Sequence, residues 1–267
     1  MVPVSVVIIT KNEAALIEDC IKMASLITDD IVVIDNDSTD GTPLIASRYG
    51  CRVFQKSWSG YGANKNKGVA QARYNWILSI DADEVPDLEL IKSLHNLTFD
   101  KPNVVYDIKF KSYFGKKLIR FGNWGNDHHL RLFNRSLVKW GETEVHETLI
   151  LPSDAEIKSI AGYIQHHSVT DIDDFERKAI LYAQLSAAKY YKAGKKATFI
   201  KLHFSAAFGF FRNYIIRLGF LDGAEGLAIA CVIYKNTRLK YAYLKQYKDL
   251  SQTRNTYRNE LVIEQIN

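Results

Sequence analysis

Three carboxylates stand within four residues at Asp81-Ala82-Asp83-Glu84, directly after the apolar run Trp76-Ile77-Leu78-Ser79-Ile80. Like charges this close repel, unless a cation, a hydroxyl-rich ligand or a helix N-terminus compensates. An Asp-x-Asp pair at a strand tip can aim both side chains into one cleft. There it can bind Mg²⁺ or Mn²⁺ through oxygen, which would neutralise a substrate diphosphate. The triplet would serve equally as a loop cap, with Asp83 or Asp87 at the N-terminus of a helix over Leu88–Leu97. A second polar stretch, Asn36-Asp37-Ser38-Thr39-Asp40-Gly41-Thr42, follows another apolar run and favours the ligand-binding reading. GxGxxG does not occur. A metal rather than a cradle of backbone amides is therefore expected to manage diphosphate charge.

The elements that must position these groups alternate regularly. Val4–Thr10 is a β-branched run, expected as a strand buried on both faces. Leu16, Ile17, Cys20 and Met23 form a helical stripe within Glu13–Ser25. Strands are predicted at Asp30–Asp35, Arg52–Gln55 and Asn75–Ile80, with a helix over Gly62–Arg73. Such alternation implies an α/β fold with a mostly parallel sheet and helices on both faces. Ligands in such sheets sit beyond the carboxyl ends of the strands, where TKNE, DNDSTD and DADE all fall. After Pro102 the period changes to that of a half-exposed strand through Tyr106, Ile108 and Phe110. Gly115-Lys116 then suggests an antiparallel hairpin. Short strands are expected through His129–Asn134 and Val145–Leu151. From Asp171 onward the pattern is helical, with boundaries near Gly194 and Gly219–Gly223.

The bulk properties exclude several classes. At 267 residues, 47% hydrophobic and 24% charged, the chain is ordinary globular material. Its net charge of +5 is unevenly spread: Lys189–Lys248 holds twelve Lys or Arg against two acids. A basic C-terminal third behind an acidic front suggests two jobs. Three scattered cysteines fit neither a disulfide framework nor zinc. His128-His129 and His166-His167 do not rescue a zinc reading, since adjacent histidines on a strand face opposite ways. No signal peptide or membrane span is expected. No nucleic-acid recognition motif accompanies the basic segment.

SVVIITKNE, IVVIDNDSTDGT, GYGANKNKG and WILSIDADE, in that order and spacing, resemble the family-2 inverting glycosyltransferases of the GT-A fold. NWGNDHHLRLFNR, EVHETL and RLGFLDGAEGL are similar to the bacterial branch that includes the lipopolysaccharide core β-1,4-glucosyltransferases. The resemblance implies a Rossmann-like GT-A domain with an added antiparallel hairpin, followed by a helical C-terminal region. Residues 1–100 would form the nucleotide-sugar half, 101–170 the acceptor half, and 171–267 the helical basic region. It implies that Thr10 and Glu13 line a nucleoside pocket and that Asp35 recognises the base. Asn36 stands where many relatives have a second acid, so Asp37 is also a candidate, against a turn role with Ser38. Lys65 would approach the diphosphate or ribose, or lie exposed on its helix. Asp81 would meet the ribose or metal, and Asp83 the metal, Mg²⁺ or Mn²⁺.

Inverting transfer is a single displacement and requires a general base near the acceptor hydroxyl. The candidates are Glu144, Glu147 and Asp127, with Glu147 favoured because Val145-His146-Glu147 looks like an element of the branch. His146 would orient the base, touch the diphosphate or pack in the core. Trp124, His128, Arg131 and Arg135 would frame the acceptor, through aromatic stacking and guanidinium pairing, or form an ordinary strand surface. The expected donor is a UDP-linked hexose, glucose above others, and the expected acceptor a lipopolysaccharide-core or other lipid-linked glycan. Phe199–Phe220 mixes aromatics with Lys201, Arg212 and Arg217, which suits a helix lying on an anionic membrane surface or a packed hairpin. The expected location is the cytoplasmic face of the cell membrane. A nucleotidyltransferase and a non-catalytic sugar-binding scaffold are the competing readings.

Overall fold

Every residue of the first strand, β1 (Val4–Thr10), is buried, as a β-branched run covered on both faces requires. The computed structural model describes residues 2–141 and 147–264. After β1 come α1 (Ile17–Ser25), β2 (Ile31–Asp35), α2 (Thr42–Arg48), β3 (Arg52–Gln55), α3 (Tyr61–Gln71) and β4 (Trp76–Asp81). The chain continues through β5 (Glu84–Pro86), α4 (Leu88–His95), β6 (Val104–Phe114), β7 (Lys117–Leu118), β8 (Asp127–Asn134), β9 (Lys139–Trp140), β10 (Leu149–Ile150) and β11 (Glu156–Val169). Three helices close it: α5 (Ile172–Lys192), α6 (Phe199–Phe211) and α7 (Gly223–Glu264).

The main sheet runs β3-β2-β1-β4-β8-β6-β11-β5, with β7 hairpinned onto β6. From β3 to β4 the pairing is parallel. Beyond β4 it is mixed: β8 runs antiparallel to both neighbours, β6 and β11 are parallel, and β5 closes the edge antiparallel. The architecture is thus α/β with a parallel N-terminal half, an added hairpin and a helical C-terminal region. Three strands escape the sequence pattern: β9 has only two residues, β11 is long but mostly polar outward, and β5 continues the carboxylate turn itself.

Alternation along β1 sorts the core. Val4, Val6 and Ile8 pack with Ile17, Ile21, Leu90 and Leu94 of α1 and α4. Val7 and Ile9 pack with Val69 of α3 on the opposite face. α3 lies close because Gly68 has no side chain: a Cβ there would stand 2.4 Å from Val7 Cγ1. The register pairs Thr10 with Asp35 and Ile9 with Asp81, so three polar strand tips share one edge.

Contacts divide the chain into two compact units, Met1–Arg120 with Trp124–Val169, and Phe121–Asn123 with Thr170–Asn267. In the second unit α5 and α6 both pack on α7. Ala179, Ala183 and Ala187 make a buried small-residue seam on α5, where Asn236 of α7 donates to the Ala179 carbonyl at 2.7 Å. Asp171 and Thr198 cap the N-termini of α5 and α6. Gly194 takes φ +65° just past α5. The short segment Phe121–Asn123 is clipped in by three backbone N–H groups, which donate to the Asp222 carboxylate, the Arg217 carbonyl and Asn213 Oδ1. Among the described residues no helix is long and apolar enough to cross a membrane.

Between Ser159 and Tyr163, β11 shifts register against β6, and Gly162 sits in this irregularity at φ +100°. A Cβ on Gly162 would lie 2.1 Å from the Leu90 backbone nitrogen, at the start of α4. Asp87, which caps α4 through Leu90 N–H, also accepts from Tyr163 N–H, so the bulge and the cap lock together. Gly162→Ala combines left-handed strain with a backbone clash. It should lower unfolding free energy by about 3 kcal/mol, read as a lower urea midpoint at unchanged m-value; a midpoint within error of the parent would contradict this account.

Candidate functional site

The shared strand edge is built from loops latched to each other. Asn12 Oδ1 accepts from Thr39 N–H at 2.8 Å, and Ser38 Oγ accepts from Asn12 N–H at 2.8 Å. Glu13 N–H donates to Thr42 Oγ1, and Ala14 N–H to Asp40. Burial pushes the Asp40 carboxyl up, but the Thr42 hydroxyl and the amides it accepts from hold it below its ordinary value. The β1 and β2 loops therefore form one hydrogen-bonded wall.

Within that wall Thr10 and Asp35 are buried, and Thr10 Oγ1 and Asp35 Oδ1 have no hydrogen-bond partner. Buried polar atoms are almost always satisfied, so an orphaned pair points to a ligand. The neighbouring groups are otherwise occupied. Asn36 is buried and donates to the Lys56 carbonyl at 2.9 Å. Asp37 is exposed at φ +56°, a left-handed turn position that Asp tolerates. Of the three, Asp35 keeps the inward-facing free oxygen.

The carboxylate turn is the electrostatic centre. Lys65, on α3, is fully buried rather than lying exposed on its helix. Its Nζ lies 2.8 Å from Glu147 Oε1 and 3.2 Å from Asp81 Oδ1, over the Trp140 ring at 4.7 Å. Asp81 Oδ1 faces that ammonium without a hydrogen-bonding angle, so the attraction is that of an ion pair. On the other side Arg131 contacts Glu84 and stands 3.5 Å from Asp81 Oδ2. Glu84 also accepts from Asp81 N–H at 3.0 Å, folding beneath the turn. Burial pushes Asp81 up, but Lys65 and Arg131 outweigh it and hold the carboxyl below its ordinary value. Glu84 is driven up by burial, with Arg131 pulling against that rise.

Asp83 sits 3.5 Å from His166 Nε2. Burial opposes a charge on His166, yet Asp83, with Glu84 and Asp81 behind it, lifts its pKa to about 9. His167 turns the other way and stacks on Tyr113 at 4.6 Å, as adjacent strand residues must. Lys65, Arg131 and His166 thus face the carboxyl groups of Asp81, Asp83, Glu84 and Glu147. Asp81 and Asp83 offer the one or two carboxylates that Mg²⁺ or Mn²⁺ takes from protein when phosphate and water complete its shell. The donor set fits such an ion. Among the described residues no three His, Cys, Asp or Glu side chains gather as a group that could hold a metal ion by itself.

The remaining expected residues are distributed as follows. Asp127 pairs with His129 Nε2 at 3.2 Å; burial raises its carboxyl, but His129 and His166 pull it below the ordinary range. Trp124 is half-buried, its ring 6.3 Å from Phe114. His128 is exposed and pairs with Asp107 at 2.8 Å. Arg131 has a different duty from the one expected: it is buried against Asp81 and Glu84, because a carboxylate trio inside a sheet requires an internal cation. Arg135 is spent on the Val69 and Ala72 carbonyls at the end of α3. Asp87, not Asp83, is the cap of α4. Glu144 and His146 lie outside the described residues. Sequence reasoning missed Glu84, Trp140 and His166. Glu84 carried a signal as the third member of an acidic cluster, and His166 as half of a His-His pair set aside as a zinc site; Trp140 carried none.

A family model, "Glycosyl transferase family 2", matches residues 5–148. An uncharacterized glycosyltransferase of Rickettsia prowazekii is 31% identical over 265 residues, covering 94% of this chain and 88% of that protein. The lipopolysaccharide core biosynthesis glycosyltransferase LpsC of Rhizobium meliloti is 28% identical over 257 residues, covering 92% and 91%. Among solved structures, glucosyl-3-phosphoglycerate synthase of Mycobacterium tuberculosis, in complex with Mn²⁺, UDP and glucosyl-3-phosphoglycerate, is 25% identical at a TM-score of 0.34, over 42% of this chain and 44% of that one.

Removing one partner of a buried ion pair leaves an uncompensated charge, whereas removing both is often nearly neutral. Arg131→Met should therefore cost about 3–5 kcal/mol of unfolding free energy. Adding Glu84→Leu should recover most of it. Equal stability of the single and double variants would show that Arg131 is not the compensating cation.

Proposed function

The chain belongs to glycosyl transferase family 2, and on that premise we propose that it transfers a hexose, glucose, from a UDP-linked donor to a lipopolysaccharide-core or similar lipid-linked glycan, with inversion, at the cytoplasmic face of the membrane. The relative named for lipopolysaccharide core biosynthesis supports this acceptor class. The observation that carries the chemistry is the Lys65 ammonium, which bridges Asp81 at the end of β4 and Glu147 just before β10.

In this reading residues 1–100 hold the donor and 101–170 the acceptor. Thr10 and Asp35, with their unpartnered buried oxygens, take the nucleoside. Glu13 and Asp37 complete the rim of that pocket. Lys65 takes the diphosphate or ribose, Asp81 the ribose or the metal, and Asp83 would hold the divalent cation. That cation, when bound, supplies positive charge to the departing diphosphate. The acceptor oxygen attacks the anomeric carbon from the face opposite the diphosphate. A new C–O bond forms as the bond to the diphosphate breaks, and the diphosphate leaves with the electron pair. Glu147 receives the hydroxyl proton, and Lys65 positions its carboxylate. Asp127 is the second choice of base. Trp124 and His128 meet the acceptor sugar, with His146 beside the base.

Two variants test the division of labour. Asp83→Ala should abolish turnover and the Mn²⁺-dependent part of UDP binding in calorimetry, while circular dichroism stays unchanged. Glu147→Gln should lower kcat by about 10²–10⁴-fold, the usual range for a lost general base, with UDP affinity within about twofold of the parent. Loss of kcat and UDP affinity in equal proportion would remove Glu147 from the role of base. Full activity in Asp83→Ala would defeat the metal assignment.

A further inference from the structure

Between Glu176 and Asp222 the chain carries nine Lys or Arg and no acidic residue. α6 lies in this stretch. Its inner face is tied down: Ala206 is fully buried, and Gly209 lies so near α7 that a Cβ there would touch Ile233 at 3.4 Å. The outer face is the reverse of what a solvated helix presents. Ile200, Phe204, Phe208 and Phe211 recur at spacings of three and four, which places them on one stripe of α6. All are exposed, Ile200 at 70% and Phe204 at 75%. The apolar surface continues through Ile215 and Ile216 in the π-helical turn Arg212–Ile216 and through Leu218, Phe220 and Leu221 before α7. Lys201 and Arg212 are exposed along one edge of the stripe.

A row of exposed large apolar side chains is a surface that something covers. The charge pattern identifies what. A second copy of the same face would bring lysine and arginine opposite lysine and arginine, with no acidic side chain in the stretch to compensate. An anionic phospholipid surface accepts both parts at once: acyl chains take the stripe, and headgroup phosphates take the basic edge. Length points the same way. α6 has 13 residues, about 20 Å at 1.5 Å per residue, too short for a hydrocarbon core of about 30 Å. It can only lie along the interface.

We infer that the exposed α6 stripe, Ile200-Phe204-Phe208-Phe211, with the apolar side chains of the turns that follow it, inserts into the interface of an anionic bilayer while Lys201 and Arg212 bind its headgroups. This deepens the proposed function by naming the surface on which a lipid-linked acceptor would be met, yet it stands on the helical unit alone.

The test is co-sedimentation of the full chain with vesicles of phosphatidylglycerol and phosphatidylethanolamine, against vesicles of phosphatidylcholine, with neither donor nor acceptor present. The parent should sediment with the anionic vesicles and scarcely with the zwitterionic ones. Phe204→Ser with Phe208→Ser should weaken that binding about tenfold or more. Lys201→Glu with Arg212→Glu should remove the preference for anionic lipid. UDP binding by calorimetry should be unchanged in both, which verifies that they fold. Emission from Phe204→Trp should shift to the blue on adding anionic vesicles. The inference is overturned by a parent that ignores anionic vesicles, by variants that bind them as well as the parent does, or by a parent dimer that the serine pair dissociates without any lipid binding. A protein that binds UDP but not vesicles would keep the transferase reading and lose this one. Vesicle binding without UDP binding would do the opposite.

Discussion

A single ammonium group organises the first unit. Lys65 is fully buried, and a buried cation is tolerable only where carboxylates meet it. Its two partners come from distant parts of the chain, Asp81 at the end of β4 and Glu147 just before β10. Holding it there requires α3 to lie flat on the sheet, which Gly68 permits by leaving room for Val7. It also requires β9 to approach α3. Asn66, next in sequence, makes that contact by exchanging two hydrogen bonds with the backbone of Trp140, at 2.9 and 3.0 Å. Trp140 then lays its ring under the Lys65 ammonium. The spacing of Lys65 and Asn66 on one helix thus fixes both the charge and the wall that shields it.

The carboxylate turn is the counterpart. Four acidic and three basic side chains share a partly to fully buried region, and each is placed against an opposite partner. Asp81 is flanked by Lys65 and Arg131, Asp83 faces His166, and Glu84 is pinned beneath by Arg131. Such a network has little freedom to rearrange, because any one group displaced leaves another unpaired in a medium of low polarity. An incoming cation would add charge to a site whose oxygen donors already stand at fixed places.

Much of this was legible from residue types alone, and the reason is locality. The strand tips are visible because each apolar run ends abruptly in polar residues, and the parallel register then aligns Thr10, Asp35 and Asp81 without further information. The helical C-terminal region announces itself through its glycines and its period. What stayed hidden depends on pairing across long separations. β11 reaches β6 and β5 from far along the chain, so nothing near His166 indicates that it faces Asp83. Arg131 looks like any strand residue until β8 is placed beside β4, where its guanidinium becomes the internal counter-ion. Lys65 could have been a surface lysine. Only the meeting of α3 with β9 decides otherwise.

The latch between the Asn12 and Ser38 loops carries a thermodynamic consequence. Its bonds are made reciprocally between side chains and main-chain amides of the two loops, and they exist before any ligand arrives. A molecule entering beside Thr10 and Asp35 meets walls whose conformational entropy was already surrendered on folding, so little of its contact energy is diverted to ordering the protein. For this side of the cleft, speed of exchange and tightness of grip are set by the ligand's own contacts rather than by a loop that must first be organised.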